Sequence, residues 1–270
     1  MTEDSPAAAR LPSLYIPHGG GPCFFMPDPQ ENWAGMAAYL RGLAASLPRR
    51  PRAILIVSGH WEAPAFTFTA AEGHPGLIYD YYGFPPETYQ LAWPAPGDPA
   101  LAERGAALLR DAGLPAGLDA GRGFDHGVFV PMKVAFPDSD VPTVQMSLAQ
   151  GLDPALHLAA GRALAPLRDE GVLVIGSGMS FHNMRGFGNP QAEAPSRAFD
   201  EWLGAAATAG AEVRADSLTR WAAAPFARLS HPREEHLLPL MVAAGASDEA
   251  GQRDYNELVL GTAISAFRFA

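Results

Sequence analysis

The feature that most constrains the fold is an apolar run that ends in a histidine. Residues 53–57 are apolar without a break, and Ser58, Gly59 and His60 follow them. An uninterrupted apolar run of this length is typical of a strand buried on both faces, as in an α/β sheet. In open α/β sheets, ligands bind just beyond the carboxyl ends of the strands. The sequence therefore predicts a strand at 53–58, with His60 at the position where such a fold binds its ligands.

Two other apolar runs end in the same way. Residues 14–16 lead through a proline to His18 and three glycines, and residues 172–175 lead to Gly-Ser-Gly, with His182 a few positions further on. Three such runs are not expected by chance in a chain with eight histidines. Neutral imidazole is the commonest metal ligand in proteins. The recurrence therefore indicates a metal site at one edge of a sheet.

The remaining histidines differ in their surroundings. His126 lies in a fourth glycine-bearing turn, and His236 lies among apolar residues, which favours an inward orientation. His231 and His236 are five residues apart, which is about 140° around a regular helix. A helix beginning at Pro232 would therefore point only one of them at an ion. His157 lies within a predicted helix and is expected at the surface.

Five histidines are assigned to the site. His18, His60 and His236 are the candidate metal ligands. His126 and His182 could be further ligands or acid/base groups. Because three protein ligands with open positions are typical of a catalytic site, we expect these two to be catalytic.

Two neighbours are candidates for orienting the catalytic rings. Asp125 precedes His126, and Asn183 follows His182. Each could orient the adjacent ring, although an Asp in this position more often caps a turn.

The predicted elements alternate between strands and helices, which argues for an α/β fold. We expect one domain with a mostly parallel or mixed sheet, flanked by helices, and an active site at the carboxyl ends of its strands. The predicted strands lie at 53–58, 66–69, 143–148, 172–176 and 262–269. The predicted helices lie at 31–47 with Asp28-Pro29 as its start, from Asp98-Pro99 to Gly113, from Asp153-Pro154 to about Arg168, at 191–209 and at 216–223.

Composition limits the other functions. The 270 residues carry a formal net charge of −10, which disfavours nucleic acid and anionic membranes as partners. The single cysteine, Cys23, excludes an internal disulfide, and the absence of a CxxC pair argues against thiolate zinc and iron–sulfur sites. No apolar run reaches the ~18 residues of a membrane helix. We expect a cytoplasmic protein with a disordered tail at 1–10, no signal peptide and one catalytic domain at 11–270.

The motifs as a set resemble the class III extradiol aromatic ring-opening dioxygenases, and within them the 4,5-DOPA-dioxygenase-like family. The resemblance covers almost the whole chain. Its motifs are Pro17-His18-Gly19-Gly20, Ser58-Gly59-His60-Trp61, Tyr82-Gly83-Phe84-Pro85, Trp93-Pro94-Ala95-Pro96-Gly97, Asp125-His126-Gly127, Gly176-Ser177-Gly178 with His182-Asn183, and His231-Pro232 with Glu235-His236 and Pro239-Leu240.

The resemblance implies an activity and a role for each histidine. It implies that His18, His60 and His236 bind one divalent ion, Fe(II) for activity or Zn(II) as found in purified protein. It implies that His126 and His182 serve the substrate and oxygen while O2 opens the ring of a small aromatic diol. The oligomeric state stays open.

Several details of the site follow from the same resemblance. The aromatic loop 79–93 is expected to cover the substrate ring. Arg122 and Arg185 are candidate partners for a carboxylate on the substrate. Many class III relatives use two histidines and one glutamate, and Glu235, next to His236, could be mistaken for the third ligand of such a triad. A one-residue shift turns it about 100° away from His236 on a regular helix.

Two other classes of function remain at this point. Three neutral histidines also describe a catalytic zinc site, so a zinc hydrolase with His182 or Glu62 as base is one alternative. A non-catalytic binding protein with the same fold is the other.

Overall fold

A mixed sheet runs through residues 9–270, which are the residues that this computed structural model describes. Most of the predicted tail at 1–10 lies outside the described residues. The strands are β1 (Ser13–Pro17), β2 (Ala53–Ala63), β3 (Phe66–Thr69), β4 (Ala116–Asp119), β5 (Thr143–Ala149), β6 (Val172–Gly178), β7 (Gly251–Val259) and β8 (Thr262–Phe269). Their order across the sheet is β4-β3-β5-β2-β6-β1-β8-β7.

The helices fill the connections between the strands. They are α1 (Ala34–Gly42), α2 (Pro99–Asp111), α3 (His126–Ala135), α4 (Pro154–Leu164), α5 (Pro166–Asp169), α6 (Glu193–Thr208), α7 (Ala211–Thr219), α8 (Ala227–Ser230) and α9 (Leu238–Gly245). Within residues 9–270, none of them has both the length and the apolar character that a membrane crossing requires.

The central strand β2 is covered on both faces, as its apolar run predicts. Ile54 and Ile56 pack into a core that includes residues of α1 and α3. Leu55 and Val57 pack on the opposite face into a core that includes residues of α2, α4 and α9. The predicted α/β fold, with a mixed sheet flanked by helices, is confirmed.

The parallel strands in the middle of the sheet place the candidate site residues at one edge. β2 and β1 both pair in parallel with β6, with Ser58 opposite Ser177 and Pro17 opposite Gly178. The residues that follow these positions therefore leave the sheet side by side. Strands β8 and β7 continue the sheet in the antiparallel sense.

The sequence suggested that His60 lies in a turn after the strand, but the residue lies in a bulge within β2. β2 continues to Ala63, but its pairing with β5 shifts between Val57 and Glu62, which lie opposite Met146 and Leu148. Bulges of this kind re-aim side chains and are common next to active sites. The shift places His60 at the sheet edge while the strand continues.

Other element boundaries also differ from prediction. The first helix begins at Ala34, because Asp28 accepts the backbone N–H of Trp33 at 2.8 Å and holds a turn ahead of the helix. Residues 231–237 form irregular turns, and α9 begins only at Leu238. Strands β4 and β7 were missed, since the mixed polar sequence of β7 lies at an exposed sheet edge.

The prediction that His157 lies at the surface is wrong, because the residue is buried. Its Nδ1 lies 2.7 Å from the Asp153 carbonyl oxygen, and its Nε2 accepts the Ala149 N–H at 3.2 Å. Burial lowers the pKa of His157 to about 4, against an opposing effect of the Asp153 hydrogen bond. The imidazole therefore ties α4 to the end of β5 in its neutral form.

This burial makes stability depend on pH. In the unfolded chain the pKa is about 6.5, so between that value and 4 the unfolded state binds more protons. Stability is then complete above about pH 6.5 and is lost as the pH falls. Between pH 7.5 and 5.0 the wild type should lose about 2 kcal/mol more unfolding free energy than His157→Gln. Urea unfolding of both proteins at the two pH values measures this, with the exposed His74→Gln as control, and equal losses would contradict it.

Candidate metal centre

Three histidines from distant parts of the chain meet beyond the strand ends. His60 Nε2 lies 3.2 Å from His18 Nε2 and 3.2 Å from His236 Nε2. Nitrogens that bind one ion at about 2.0–2.1 Å are about 3 Å apart at tetrahedral or octahedral angles. The spacing of the three nitrogens therefore fits a single divalent ion.

The hydrogen-bond partners assign the protons of these rings. Ser177 Oγ donates to the Gly127 carbonyl, so it can only accept from His18 Nδ1, 3.1 Å away. His236 Nδ1 faces Glu235 Oε1 at 2.9 Å, and His60 Nδ1 faces a carboxylate as well. With the protons on Nδ1, three Nε2 lone pairs face one another. A cation between them satisfies all three, so the donor set fits a metal ion.

Burial keeps the three rings in the neutral form that binds metals. His18 is 1% exposed, and burial, followed by the nearby His236 and His126, holds its pKa well below the ordinary value. Burial and the neighbouring histidines do the same to the pKa of His60. Burial lowers the pKa of His236 to about 4, although Glu235 opposes this. Each ring is therefore free of a competing proton near pH 7.

The backbone of the His236 segment lies directly on the strand ends. The His236 carbonyl accepts from the Met179 N–H at 3.1 Å and from the Tyr15 hydroxyl at 2.8 Å. A Cβ placed at Gly178 would lie 2.0 Å from that carbonyl oxygen, and one at Gly59 would lie 2.9 Å from the Glu235 oxygen. These two glycines therefore permit the close approach that brings His236 to the other rings.

The other two predicted site histidines also lie at this centre. The ring centroid of His126 is 3.9 Å from that of His60, and His182 stacks on His236 at 3.4 Å. Metal-binding atoms of His18, His60 and His126 lie within 4.8 Å of one another, as do those of His182, Glu235 and His236. We favour His18, His60 and His236 as ligands, because His60 Nε2 lies 3.2 Å from the Nε2 atoms of both other rings.

Two carboxylates each join one ligand candidate to one catalytic candidate. Asp80 Oδ1 accepts from His126 Nδ1 at 2.8 Å, and its Oδ2 lies 3.5 Å from His60 Nδ1. Glu235 Oε1 accepts from His236 Nδ1 at 2.9 Å and lies 3.4 Å from His182 Nδ1. Each carboxylate thus fixes the orientation and tautomer of two rings at once.

Both carboxylates are ionised in this setting. Burial alone would raise the pKa of Asp80, but the hydrogen bonds and electrostatic attraction of the His126 N–H groups outweigh burial and lower it. Burial likewise opposes ionisation of Glu235, but His182 and His236 hold its pKa well below the usual range. Asp80 was missed by sequence reasoning, and its signal was one acidic residue inside an aromatic run.

The expected orienting residues serve other parts of the structure. Asp125 is buried and accepts from Ser58 Oγ at 2.7 Å and from the Gln145 amide, so it supports the β2 bulge. Asn183 donates to the Leu229 carbonyl at 2.7 Å within a turn. Neither side chain bonds the ring beside it.

His231 does not belong to the centre. It is buried, its Nε2 lies 2.9 Å from the Ser180 carbonyl, and its ring packs against Phe199 and Trp221. Burial lowers its pKa to about 3. His231 is thus a core residue. Its separation from His236 does not come from a helix beginning at Pro232, because residues 231–237 form irregular turns.

A pocket of about 450 Å³ opens in front of the five histidines. From the aromatic loop, Tyr81, Tyr82 and Phe84 line it, as expected, whereas Trp93 is buried in the core and donates to the Phe136 carbonyl. A volume of this size is typical of a small-molecule site.

The charged residues suggested by the sequence lie outside this pocket. Arg122 stacks over the Trp61 ring and pairs with Asp125 at 3.2 Å. Arg185 is exposed, and Glu62 pairs with Arg233. None of Arg122, Arg185 and Glu62 lines the pocket.

Loss of either bridging carboxylate should weaken metal binding. Asp80→Ala and Glu235→Ala should each lower metal affinity by about 10–100-fold, the usual effect of removing the partner of a ligand histidine. Chelator competition measures the affinity. Glu234→Ala is the matched control, because Glu234 pairs with Arg228. Unchanged affinity in both variants would contradict the bridging roles.

Fold and site together define an α/β protein with a clustered-histidine centre, and comparisons with known proteins place it further. Residues 15–267 match the family described as the catalytic LigB subunit of aromatic ring-opening dioxygenase. The chain belongs to this family, and the resemblance seen in its motifs is confirmed.

Individual relatives agree with this placement. The chain is 40% identical over 279 residues to Dioxygenase tasH of Hapsidospora irregularis, covering 95% of this chain and 84% of that protein. It is 40% identical over 216 residues to 4,5-DOPA dioxygenase extradiol of Beta vulgaris, covering 78% of each. A crystal structure of an uncharacterized protein from Escherichia coli K12 matches with a TM-score of 0.77 at 30% identity, over 97% of this chain and 100% of that one.

Proposed function

We propose that this protein is a metal-dependent extradiol dioxygenase that opens the ring of a catechol with O2. The observation that carries the proposal is the paired construction of the centre. Three histidine nitrogens are spaced for one ion, and two further histidines are each tied to that set by a shared carboxylate. Membership of the family and the names of the relatives support the same reaction.

His18, His60 and His236 would hold the ion. When bound, Fe(II) would supply what side chains lack, which is coordination of the catechol oxygens and O2 and transfer of electrons between them. A ring bond next to the diol would open, and both atoms of O2 would end in the product.

The chain's own acid/base groups would be His126 and His182. Because Asp80 accepts from His126 Nδ1 and Glu235 Oε1 faces His182 Nδ1 at 3.4 Å, each Nε2 is left to take a proton from a catechol hydroxyl. Once protonated, the same nitrogen can donate to negative charge that develops on oxygen. Tyr81 and Phe84 line the pocket and would exclude water from the ring.

An oxygen electrode tests the proposal. The protein is stripped of metal, reconstituted anaerobically with Fe(II) and given a panel of catechols, with metal-free and Zn(II)-loaded samples as controls. We expect one O2 consumed per catechol opened, in the Fe(II) sample alone. Binding of catechols without oxygen uptake would favour the binding-protein alternative, and ester hydrolysis by the Zn(II) sample would favour the hydrolase.

A further inference from the structure

Oxidisable sulfur is unevenly exposed in this protein. Seven of the eight methionines lie within residues 9–270. Five of these seven are buried, with at most 2% of the residue surface exposed, and they are Met36, Met132, Met146, Met179 and Met241. Met26 is partly buried, whereas Met184 is 72% exposed. Among the described methionines, Met184 therefore offers its thioether most freely to small solutes.

Met184 also forms part of the pocket wall. It lines the pocket with His182, two positions earlier in the chain, and with Tyr82, which is 87% exposed. Phe84 and Met26 add further apolar surface to the same wall. The Met184 side chain thus faces both the solvent and the pocket. A chemical change at its sulfur would therefore change the surface that the pocket presents to a bound molecule.

The backbone around Met184 is fixed in a turn. Asn183 Nδ2 donates to the Leu229 carbonyl at 2.7 Å, and Asn183 Oδ1 accepts the Arg185 N–H at 3.0 Å. The Gly186 N–H donates to the Asn183 carbonyl at 2.8 Å. Because these bonds hold both neighbours of Met184, its side chain stays at the pocket mouth and is not drawn into the core.

The one cysteine competes poorly for oxidants. Cys23 also lines the pocket, but it is 5% exposed, and burial raises the pKa of its thiol to about 12. The thiolate is the form of cysteine that oxidants attack. Near pH 7 Cys23 is therefore a protonated and shielded thiol, which leaves Met184 as the most accessible sulfur of the pocket.

The proposed reaction supplies an oxidant for this sulfur. A catechol that gives two electrons and two protons to O2 without ring opening becomes an ortho-quinone, and the O2 becomes hydrogen peroxide. Hydrogen peroxide can transfer one oxygen to a thioether. In that step the O–O bond breaks, an S–O bond forms, sulfur loses two electrons, and the second oxygen leaves as water. The product is methionine sulfoxide, which is polar and chiral.

We propose that Met184 is a site of reversible oxidation by hydrogen peroxide and that its sulfoxide weakens the binding of catechols in the pocket. A sulfoxide in this wall places a polar oxygen against the apolar part of the bound molecule, and burying a polar group without a partner costs free energy. The effect on catechol binding rests on the proposed function, whereas the oxidation itself does not.

Peptide mapping tests the oxidation. Metal-free protein is treated with hydrogen peroxide, so that no iron-generated radicals form, and is then digested with trypsin. The peptide 169–185 contains Met179 and Met184, so the buried methionine is an internal control for the exposed one. Met184 sulfoxide should form at least about tenfold faster than Met179 sulfoxide, because buried groups react only when the structure opens. Equal rates at these two positions, or faster oxidation of Met26 than of Met184, would overturn the proposal.

Anaerobic titration tests the effect on binding. After the peroxide is removed, the protein is loaded with Fe(II) and titrated with propylcatechol. Oxidation should raise the dissociation constant by roughly threefold or more, and the two methionine sulfoxide reductases, one for each epimer, should reverse the rise.

Two leucine variants locate this effect. In Met184→Leu, which has no thioether at that position, peroxide treatment should leave the dissociation constant where it was before treatment. Met26→Leu is the matched control, because Met26 lines the same pocket and is less exposed, and it should respond to peroxide as the wild type does. A rise that persists in Met184→Leu, or no rise in the wild type, would overturn the effect assigned to Met184.

The two measurements separate this inference from the proposed function. If Met184 is oxidised but the untreated protein neither binds nor opens a catechol, the oxidation site stands, and the proposed function is wrong together with the effect on binding. If catechols are opened but oxidation does not alter their binding, the proposed function stands and the effect of the sulfoxide is wrong.

Discussion

Alanine at His18, His60 or His236 should remove most of the bound metal. Each variant takes away one of three clustered nitrogens, in which His60 Nε2 lies 3.2 Å from His18 Nε2 and from His236 Nε2. Removing only the partner of such a ligand weakens binding by about 10–100-fold, so removing the ligand itself should cost at least about 100-fold. Elemental analysis and chelator competition on the purified variants measure the loss.

Two histidines outside the set act as controls. His74 is exposed, and His231 is buried against Phe199 and Trp221. His74→Ala should keep its metal and stability, and His231→Ala should keep its metal at lower stability. Full metal in His236→Ala together with loss in His231→Ala would reverse the assignment of that segment.

Alanine at His126 or His182 should slow turnover strongly while metal and catechol still bind. If the two rings move protons, each substitution should slow turnover by about 10²–10⁴-fold. The loss should lie toward the upper end, because a donor to charge on oxygen disappears as well. Metal analysis, anaerobic catechol titration and oxygen uptake on one preparation measure the three properties.

The same measurements test the other grouping of side chains. Metal-binding atoms of His126 lie as close to His18 and His60 as a ligand would require. If His126 or His182 is a ligand, its variant will lose metal along with turnover. Near-normal oxygen uptake by both variants would remove the acid/base roles and much of the case for ring opening.

Sequence reasoning predicted the parts of the molecule that are coded locally. The apolar runs at 14–16, 53–57 and 172–175 predict buried strands, and their parallel pairing brings the following histidines to one edge. Glycines next to histidines mark the same edge. The fold class and the five clustered histidines could therefore be inferred before the structure was known.

What sequence reasoning missed depends on contacts between distant residues. Asp80 meets His126 across 46 positions, whereas the adjacent Asp125 turns away to support the β2 bulge. His157 has an ordinary helical context, and only the packing of α4 on β5 buries it. Adjacency in sequence suggested the wrong partner for His126, and helical context suggested the wrong exposure for His157, because both depend on contacts in space.

The position of His236 in the candidate metal centre depends on the close approach of its segment to the strand ends. His236 is positioned by contacts between main-chain atoms, and Gly59 and Gly178 leave no space for even a methyl group there. These positions carry no candidate ligand and no acid/base group, yet an added methyl would displace His236, which is a candidate ligand. In a deep mutational scan, both should therefore tolerate substitution as poorly as the histidines themselves, and inactive variants there should be recognised by missing metal and not by missing catalytic groups.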